Sequence, residues 1–271
     1  MTARRRRVRR LHVSGDAGWL TDELAAEEPL EIRLDGEPLS VTMRTPGADF
    51  DLAVGFLVTE GIIAGSEEIA AMKMCPHAAD PSGEYNVVEV TLREHRAGTG
   101  GARNFFMTSS CGVCGKASID AVRSRSRYEV RDDPLTVTTA LLATLPASLR
   151  AAQQMFTRTG GLHAAAIFNA GDELICVRED VGRHNAFDKV IGWAATQRRL
   201  PLSSHIILAS GRASFELTQK AWMAGIPMLA AVSAPSSLAA ELAEQAGMTL
   251  VGFLRGEQMN VYTGHQRVTS D

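Results

Sequence analysis

From His205 to Leu254 the chain alternates short continuous apolar runs with stretches of helical periodicity, and this alternation narrows the possible folds more than any other feature. His205-Ile206-Ile207-Leu208-Ala209, Met228 to Val232 and Met248 to Leu254 contain too little polar sequence to keep one face in water. That is the pattern of strands covered on both sides. Between them, Ser214 to Ala224 sets Phe215 and Trp222 seven apart on one side of a helix, with Gly225 as its C-cap and Pro227 beyond. Ser237 to Ala246 is a second helix, closed by Gly247. Two strand-helix-strand crossovers in series predict parallel strands with helices packed against them. Upstream, Ala164 to Phe168 and Leu174 to Val177 flank the turn Asn169-Ala170-Gly171-Asp172 as a hairpin, and Asn185 to Gln197 is helical. Thr138 to Leu149 and Arg150 to Thr159 read as two helices parted by Pro146, the second stopped by Gly160-Gly161.

The first part of the chain has a different texture. Leu30-Glu31-Ile32-Arg33-Leu34 and Leu39-Ser40-Val41-Thr42-Met43 alternate apolar and polar residues around Asp35-Gly36, the signature of a hairpin. Asp49-Phe50-Asp51 opens a helix that Gly61 closes, and Tyr85 to Leu92 is a further strand. Arg123, Arg125, Arg127 and Arg131 followed by Pro134 mark a domain boundary. The expected organisation is a smaller α+β domain over 29–132 and an α/β domain over 133–271. Ahead of them, Arg4-Arg5-Arg6-Arg7-Val8-Arg9-Arg10 begins a basic segment, 1–28, expected to be a disordered, solvated tail. It is not expected to be an export signal, because Leu11 to Glu28 is mixed and acidic where an apolar stretch would be needed.

With 271 residues and a net charge of −3, the chain can bury a substantial core and carries no global basic surface, so no nucleic-acid partner is expected. No apolar run is long enough to span a membrane, and no membrane partner is expected. Four irregularly spaced cysteines do not make a disulfide framework and point to a reducing cytoplasm.

Chemistry-bearing residues fall in two places. Three strand-to-helix turns combine glycine, hydroxyl and cationic side chains: Glu179-Asp180-Val181-Gly182-Arg183-His184-Asn185, Ser210-Gly211-Arg212 and Ser233-Ala234-Pro235-Ser236-Ser237. In a parallel sheet such turns share the carboxyl edge, where helix N-termini and Arg183 and Arg212 suit a phosphorylated ligand. Helix capping alone accounts for the serines but not for Arg183, His184 and Arg212. The second place is Ser109-Ser110-Cys111-Gly112-Val113-Cys114-Gly115-Lys116, two thiols among small residues with a cation and a helix start beside them, which favours thiolate. This Cys-x-x-Cys admits a reactive thiol, a redox disulfide, inert thiols, or half a zinc site completed by Cys75 and His77. Cys176, inside an apolar strand, reads as an inert buried thiol, and His163 as a hydrogen-bonded structural residue.

Together, Ser109 to Lys116, Thr159-Gly160-Gly161-Leu162-His163-Ala164-Ala165, Glu179 to Ala186, Ser210-Gly211-Arg212 and Ala231 to Leu238 resemble the FdhD family of formate dehydrogenase accessory sulfurtransferases, over roughly Leu30 to Thr263. The resemblance implies an α/β fold with a cytidine-deaminase-like C-terminal core and a smaller N-terminal α+β domain, assembled as a homodimer. It implies a cytoplasmic carrier that takes persulfide sulfur on Cys111 from a cysteine desulfurase, with Cys114 assisting. The sulfur would pass to the molybdenum cofactor in its bis(molybdopterin guanine dinucleotide) form, for formate dehydrogenase. The same resemblance assigns cofactor contacts to Phe253-Leu254-Arg255-Gly256-Glu257-Gln258, beside Arg183, His184, Ser210, Gly211 and Arg212. No resident metal is expected. Zinc-dependent deamination, the other chemistry of such a core, is disfavoured: His163-Ala164-Ala165 has alanine where the proton-shuttling glutamate belongs, and the Cys-x-x-Cys lies upstream of the histidine. A non-catalytic cofactor-binding chaperone is the remaining alternative.

Overall fold

In the computed structural model, which describes residues 2–75, 86–94 and 126–270, the chain opens with two long strands, β1 (Ala3–His12) and β2 (Gly15–Ala25). They pair antiparallel in a sheet of their own. The expected disordered tail is therefore corrected to a ribbon. Its cross-strand pairs supply the reason: Arg6 faces Asp22, Val8 faces Leu20, and the Arg7 guanidinium sits 5.0 Å from the Trp19 ring centre. Arg5 bonds Glu23 at 3.3 Å and Arg4 bonds Glu28 at 2.8 Å. The acidic residues that spoil an export signal are the partners of the arginines.

β3 (Glu28–Leu34) and β4 (Glu37–Arg44) form the expected hairpin. Asp35 and Gly36 both take positive φ, 51° and 86°, as a two-residue turn between twisted strands requires. β5 (Ile69–Cys75) and β6 (Val87–Leu92) complete a four-stranded sheet in the order β4-β3-β6-β5. Helix α1 (Asp49–Thr59) is buried from Leu52 through Thr59, because it lies between this sheet and the second half of the chain.

After β7 (Val137–Thr138) come α2 (Thr139–Ala152) and α3 (Gln154–Thr159). The expected break at Pro146 is absent: Pro146 lies inside α2, and the chain breaks at Gln153 instead. Leu142, Leu145 and Leu149 bury the flanking turns against the sheet, which outweighs the one backbone bond that proline cannot make. Gly160, at φ 66°, ends α3 as expected.

The remaining elements are β8 (His163–Asn169), β9 (Leu174–Asp180), α4 (Arg183–Thr196), β10 (His205–Ala209), α5 (Phe215–Met223), β11 (Met228–Ala231), α6 (Ser237–Ala246), β12 (Thr249–Arg255), β13 (Gln258–Thr263) and β14 (Val268–Thr269). They build a six-stranded sheet in the order β13-β12-β11-β10-β8-β9, while β14 pairs with β7. Strands β10, β11 and β12 run parallel, as the crossovers predict. β8 runs against both β10 and β9, so β9 shares the direction of β10. Alternation along β8 and β10 feeds two cores: Ala165, Ile167, Ile207 and Ala209 join the core under α1 and α4, and Ala164, Phe168, Ile206 and Leu208 join the one under α2. The first core also contains Leu30 and Val88 of the small sheet. Helices α1 and α4 meet at glycines, where a Cβ on Gly55 would strike the carbonyl of Asp188 and one on Gly192 that of Asp51. Among the described residues no helix is long and apolar enough to cross a membrane.

Candidate ligand site at the carboxyl edge of the sheet

Because β9, β10, β11 and β12 point the same way, their ends and the starts of β8 and β13 line one edge of the sheet. From one end to the other this edge presents Arg183 and His184, then His163, then Ser210-Gly211-Arg212, then Ser233, then Arg255. Backbone bonds lace the turns together: Ser233 N–H donates to Gly211 O, Ala213 N–H to Ala234 O and Phe253 N–H to Ser233 O, at 3.1 to 3.2 Å.

The Glu179–Asn185 turn is clasped from beneath. Glu179 accepts from the Met155 and Phe156 amides at 2.9 and 2.7 Å, so its carboxylate caps α3. Asp180 is fully buried and accepts from Lys189 Nζ at 2.6 Å, Gly182 N–H at 2.8 Å, Asn185 Nδ2 at 3.0 Å and Thr45 N–H at 3.1 Å. Asn185 in turn donates to Met43 O and accepts from Thr42 Oγ1, and Lys189 donates to Thr45 O. A buried carboxylate with four donors, one of them a buried ammonium, is fully satisfied. These residues hold the turn against the end of β4 and have no capacity left for a ligand.

Their neighbours are the opposite. Arg183 Nε, His184 Nε2 and Ser214 Oγ are buried atoms with no hydrogen-bond partner among the described residues. The nearest counter-charge to His184 Nε2 is Glu216 Oε2 at 3.8 Å, an electrostatic contact beyond hydrogen-bond reach. His184 pulls the Glu216 carboxyl down to about 2. Burial, with Arg183, His184 and Arg212 nearby, pushes the His163 imidazole below its usual value. His163 is therefore mainly neutral at pH 7, and the positive potential around it comes from Arg183, His184 and Arg212.

Of the other residues expected at the site, Ser210 spends its hydroxyl accepting from Ala164 N–H at 2.8 Å, a positioning contact. A Cβ on Gly211 would lie 3.5 Å from the His163 ring, and Arg212 is exposed. Ser236 caps α6 by accepting from Ala239 N–H, so the third turn is the capping device that sequence also allows. In the segment Phe253 to Gln258, Leu254 is fully buried in the core and presents nothing to a ligand. Phe253 is 40% exposed at a strained φ of 52°, Gly256 turns the chain at φ 54°, and Arg255 Nε donates to Val232 O at 2.7 Å. Glu257 and Gln258 are exposed at the start of β13, which the sequence reading did not anticipate after Leu254. Arg183 and Arg255 share the edge but are four strand spacings apart, roughly 19 Å at about 4.8 Å per strand.

Below the edge, a cleft of about 600 Å³ opens between α2, α3 and the start of β8, lined by Arg150, Phe156, Leu162, His163, Ser210 and Val232 among others. The Arg150 guanidinium lies 4.3 Å from the Phe156 ring centre. Arg150, Phe156, Ser214 and Glu216 are missed from sequence. The first sits in a helix with one buried face and the second in a six-residue helix with no buried residue, and neither carries a local signal, whereas Ser214-Phe215-Glu216 reads as a helix start whose serine makes no capping hydrogen bond.

Cys111, Cys114 and His77 lie outside the described residues. Cys75, at the end of β5, is a half-buried free thiol. Cys176 is buried, and burial pushes its thiol up to about 11, in keeping with an unreactive thiol despite Arg178 Nη1 at 3.3 Å.

The model of the FdhD/NarQ family matches residues 25–269. The sulfur carrier protein FdhD of Mycolicibacterium paratuberculosis is 57% identical over 270 residues, covering 97% of this chain and 98% of its own length. That of Streptomyces coelicolor is 57% identical over 277 residues, covering 97% and 95%. A crystal structure of a formate dehydrogenase accessory protein from Desulfotalea psychrophila superposes with a TM-score of 0.77, covering 99% of this chain and 100% of that one; at 22% identity this speaks to the fold alone.

Proposed function

The chain belongs to the FdhD/NarQ family, and from that premise we propose that it is a cytoplasmic, homodimeric sulfurtransferase that carries sulfane sulfur on Cys111 to a guanine-dinucleotide molybdenum cofactor destined for formate dehydrogenase. The observation that carries the reading is the 57% identity, over nearly the whole chain, to proteins named as sulfur carriers. Its chemistry is thiol exchange. The Cys111 thiolate attacks the terminal sulfur of a cysteine desulfurase persulfide, a new S–S bond forms, and the desulfurase cysteine leaves as thiolate. Cys114, three residues on, assists the exchange.

The cofactor is the substrate, and the edge of the sheet supports its binding. It is long, polyanionic and rich in hydrogen-bonding groups. Arg183 Nε is a buried donor that the protein leaves without a hydrogen bond, and His184 Nε2 has only the 3.8 Å contact with Glu216, which is costly unless a ligand satisfies them. Fixed guanidinium charge at Arg183 and Arg212, and at Arg255 some 19 Å away on the ~4.8 Å strand spacing, matches an extended ligand with separated phosphates. The cytidine-deaminase-like description of the core belongs with this reading, the sheet edge serving to bind and no longer to deaminate.

The test is mass spectrometry after incubation with a cysteine desulfurase and cysteine. The expected result is a labile sulfur on Cys111 that disappears in Cys111→Ala while melting temperature is unchanged. A labile sulfur on Cys75 or Cys176 would overturn the assignment. No labile sulfur on any cysteine, with guanine nucleotide still bound, would leave a binding-only chaperone.

A further inference from the structure

The arginine run that the sulfur chemistry does not use forms the ribbon β1–β2, and its environment is unusual. The ribbon pairs with no other strand among the described residues, and two-stranded hairpins are marginal in water without something to pack against. Its ten- and eleven-residue strands make an arm of roughly 33 Å at about 3.3 Å per residue. At the tip sit the three most exposed large hydrophobic side chains among the described residues, Val13 at 113%, Leu11 at 67% and Trp19 at 62%. Exposed apolar residues grouped at one spot mark a contact surface. The base of the arm is fixed to the wall of the ligand cleft: Glu23 pairs with Arg158 of α3 at 2.8 Å, and a Cβ on Gly161 would meet that of Ala25 at 3.5 Å.

We propose that this arm docks onto a second copy of the chain, and so supplies the contact that the homodimeric reading above, on which it rests, leaves unlocated. Charge selects the occupant. The arm, Ala3 to Ala25, has six arginines against Asp16, Asp22 and Glu23, a net +3 within a chain of net −3, so the rest of the chain carries −6. An arm of one copy and the acidic body of another are complementary. Edge-to-edge pairing of two arms would instead set arginine rows of like sign together. The two-fold solution is reciprocal, each copy giving an arm and receiving one, with the Leu11, Val13 and Trp19 tip buried and the stem arginines facing carboxylates. Since the arm springs from the cleft wall, assembly would also fix the wall that Gly161 and Phe156 form.

Sedimentation equilibrium on the full chain tests this. Wild-type protein should be dimeric at micromolar concentration in 0.1 M salt, and should dissociate more readily at 1 M, where screening shortens from about 10 to 3 Å. Leu11→Ser/Val13→Ser/Trp19→Ser and, separately, Arg6→Glu/Arg10→Glu should each weaken association by on the order of a hundredfold or more, since every change acts at two equivalent contacts. As a check independent of substitution, amide exchange within 3–25 of the wild-type chain should slow as concentration passes through the dimer dissociation constant. A dimer unmoved by both variants, with concentration-independent exchange in the arm, would refute the arm while leaving a dimer through another face. A monomer at all concentrations would refute both. Tight binding of the wild-type arm to a 20-base-pair DNA duplex, lost in Arg6→Glu/Arg10→Glu while the dimer persists, would reassign the ribbon to a polyanion.

Discussion

Within one heptapeptide, Glu179 to Asn185, the chain does two opposite things. Asp180 and Asn185 are buried with every polar atom paired, to Lys189, Gly182, Thr45, Met43 and Thr42. Between them, Arg183 keeps a buried nitrogen without a hydrogen bond, and His184 Nε2 has only a 3.8 Å contact with Glu216. The comparison separates anchoring from function better than residue type does, since both sets are charged and polar. A saturated network fixes geometry, and an unsaturated one is open to a ligand.

The harshest way to break the anchored set is Asp180→Ala. It leaves the Lys189 ammonium, 2% exposed, without a counter-charge, and removal of one partner of a buried pair costs ~3–5 kcal/mol. Urea denaturation should show that loss; a change under ~1 kcal/mol would mean the clasp is a surface-like pair. Gly192→Ala comes next. Its Cβ would enter the Asp51 carbonyl and force α4 off α1, an overpacking cost of about 1–3 kcal/mol by the same measurement. Glu216→Gln is smaller and depends on pH. The wild-type carboxyl titrates at about 2 rather than 4.5, so it contributes stability that is complete above pH 4.5 and is lost as pH falls toward 2. The variant should lack that contribution from pH 4.5 up to pH 7 and converge on wild type as pH falls toward 2, so its thermal stability is flatter across that window. His163→Gln is the smallest. A lowered imidazole pKa contributes stability that is present above about 6.5 and lost as pH falls through the lowered value, so the variant should lose a shallow slope below pH 6.5 in the same melts.

What could be read from the chain follows from how local the signals are. The Asp35-Gly36 turn, the β10–β12 crossovers, the glycine ends of α3 and α6 and the shared strand edge each rest on residues within one or two elements. The ribbon does not: Arg5 and Glu23 are 18 residues apart, and a run of arginine without alternation looks like a solvated tail until its partners are known. The clasp is equally hidden, since Thr45 and Asp180 are separated by 135 positions. Pro146 misleads because tertiary burial of Leu142, Leu145 and Leu149 outweighs a local rule. At the site, Arg183, His184 and Arg212 were legible as cations that capping cannot explain. Leu254 was legible as core, the last residue of the apolar run Met248 to Leu254, and only its place in the segment carried over by resemblance set it among the cofactor contacts.

The direct test of the open edge is calorimetry with GDP, a fragment of the cofactor, on wild-type protein and on Arg183→Ala, Arg212→Ala and Arg255→Ala. Charge-assisted contacts are each worth about 1.5–3 kcal/mol, so at least Arg183→Ala and Arg212→Ala should bind roughly tenfold to a hundredfold more weakly, with a reduced salt dependence and a melting temperature without ligand that barely moves. Wild-type affinity in all three variants would contradict the account, placing the ligand elsewhere and reducing these turns to helix caps.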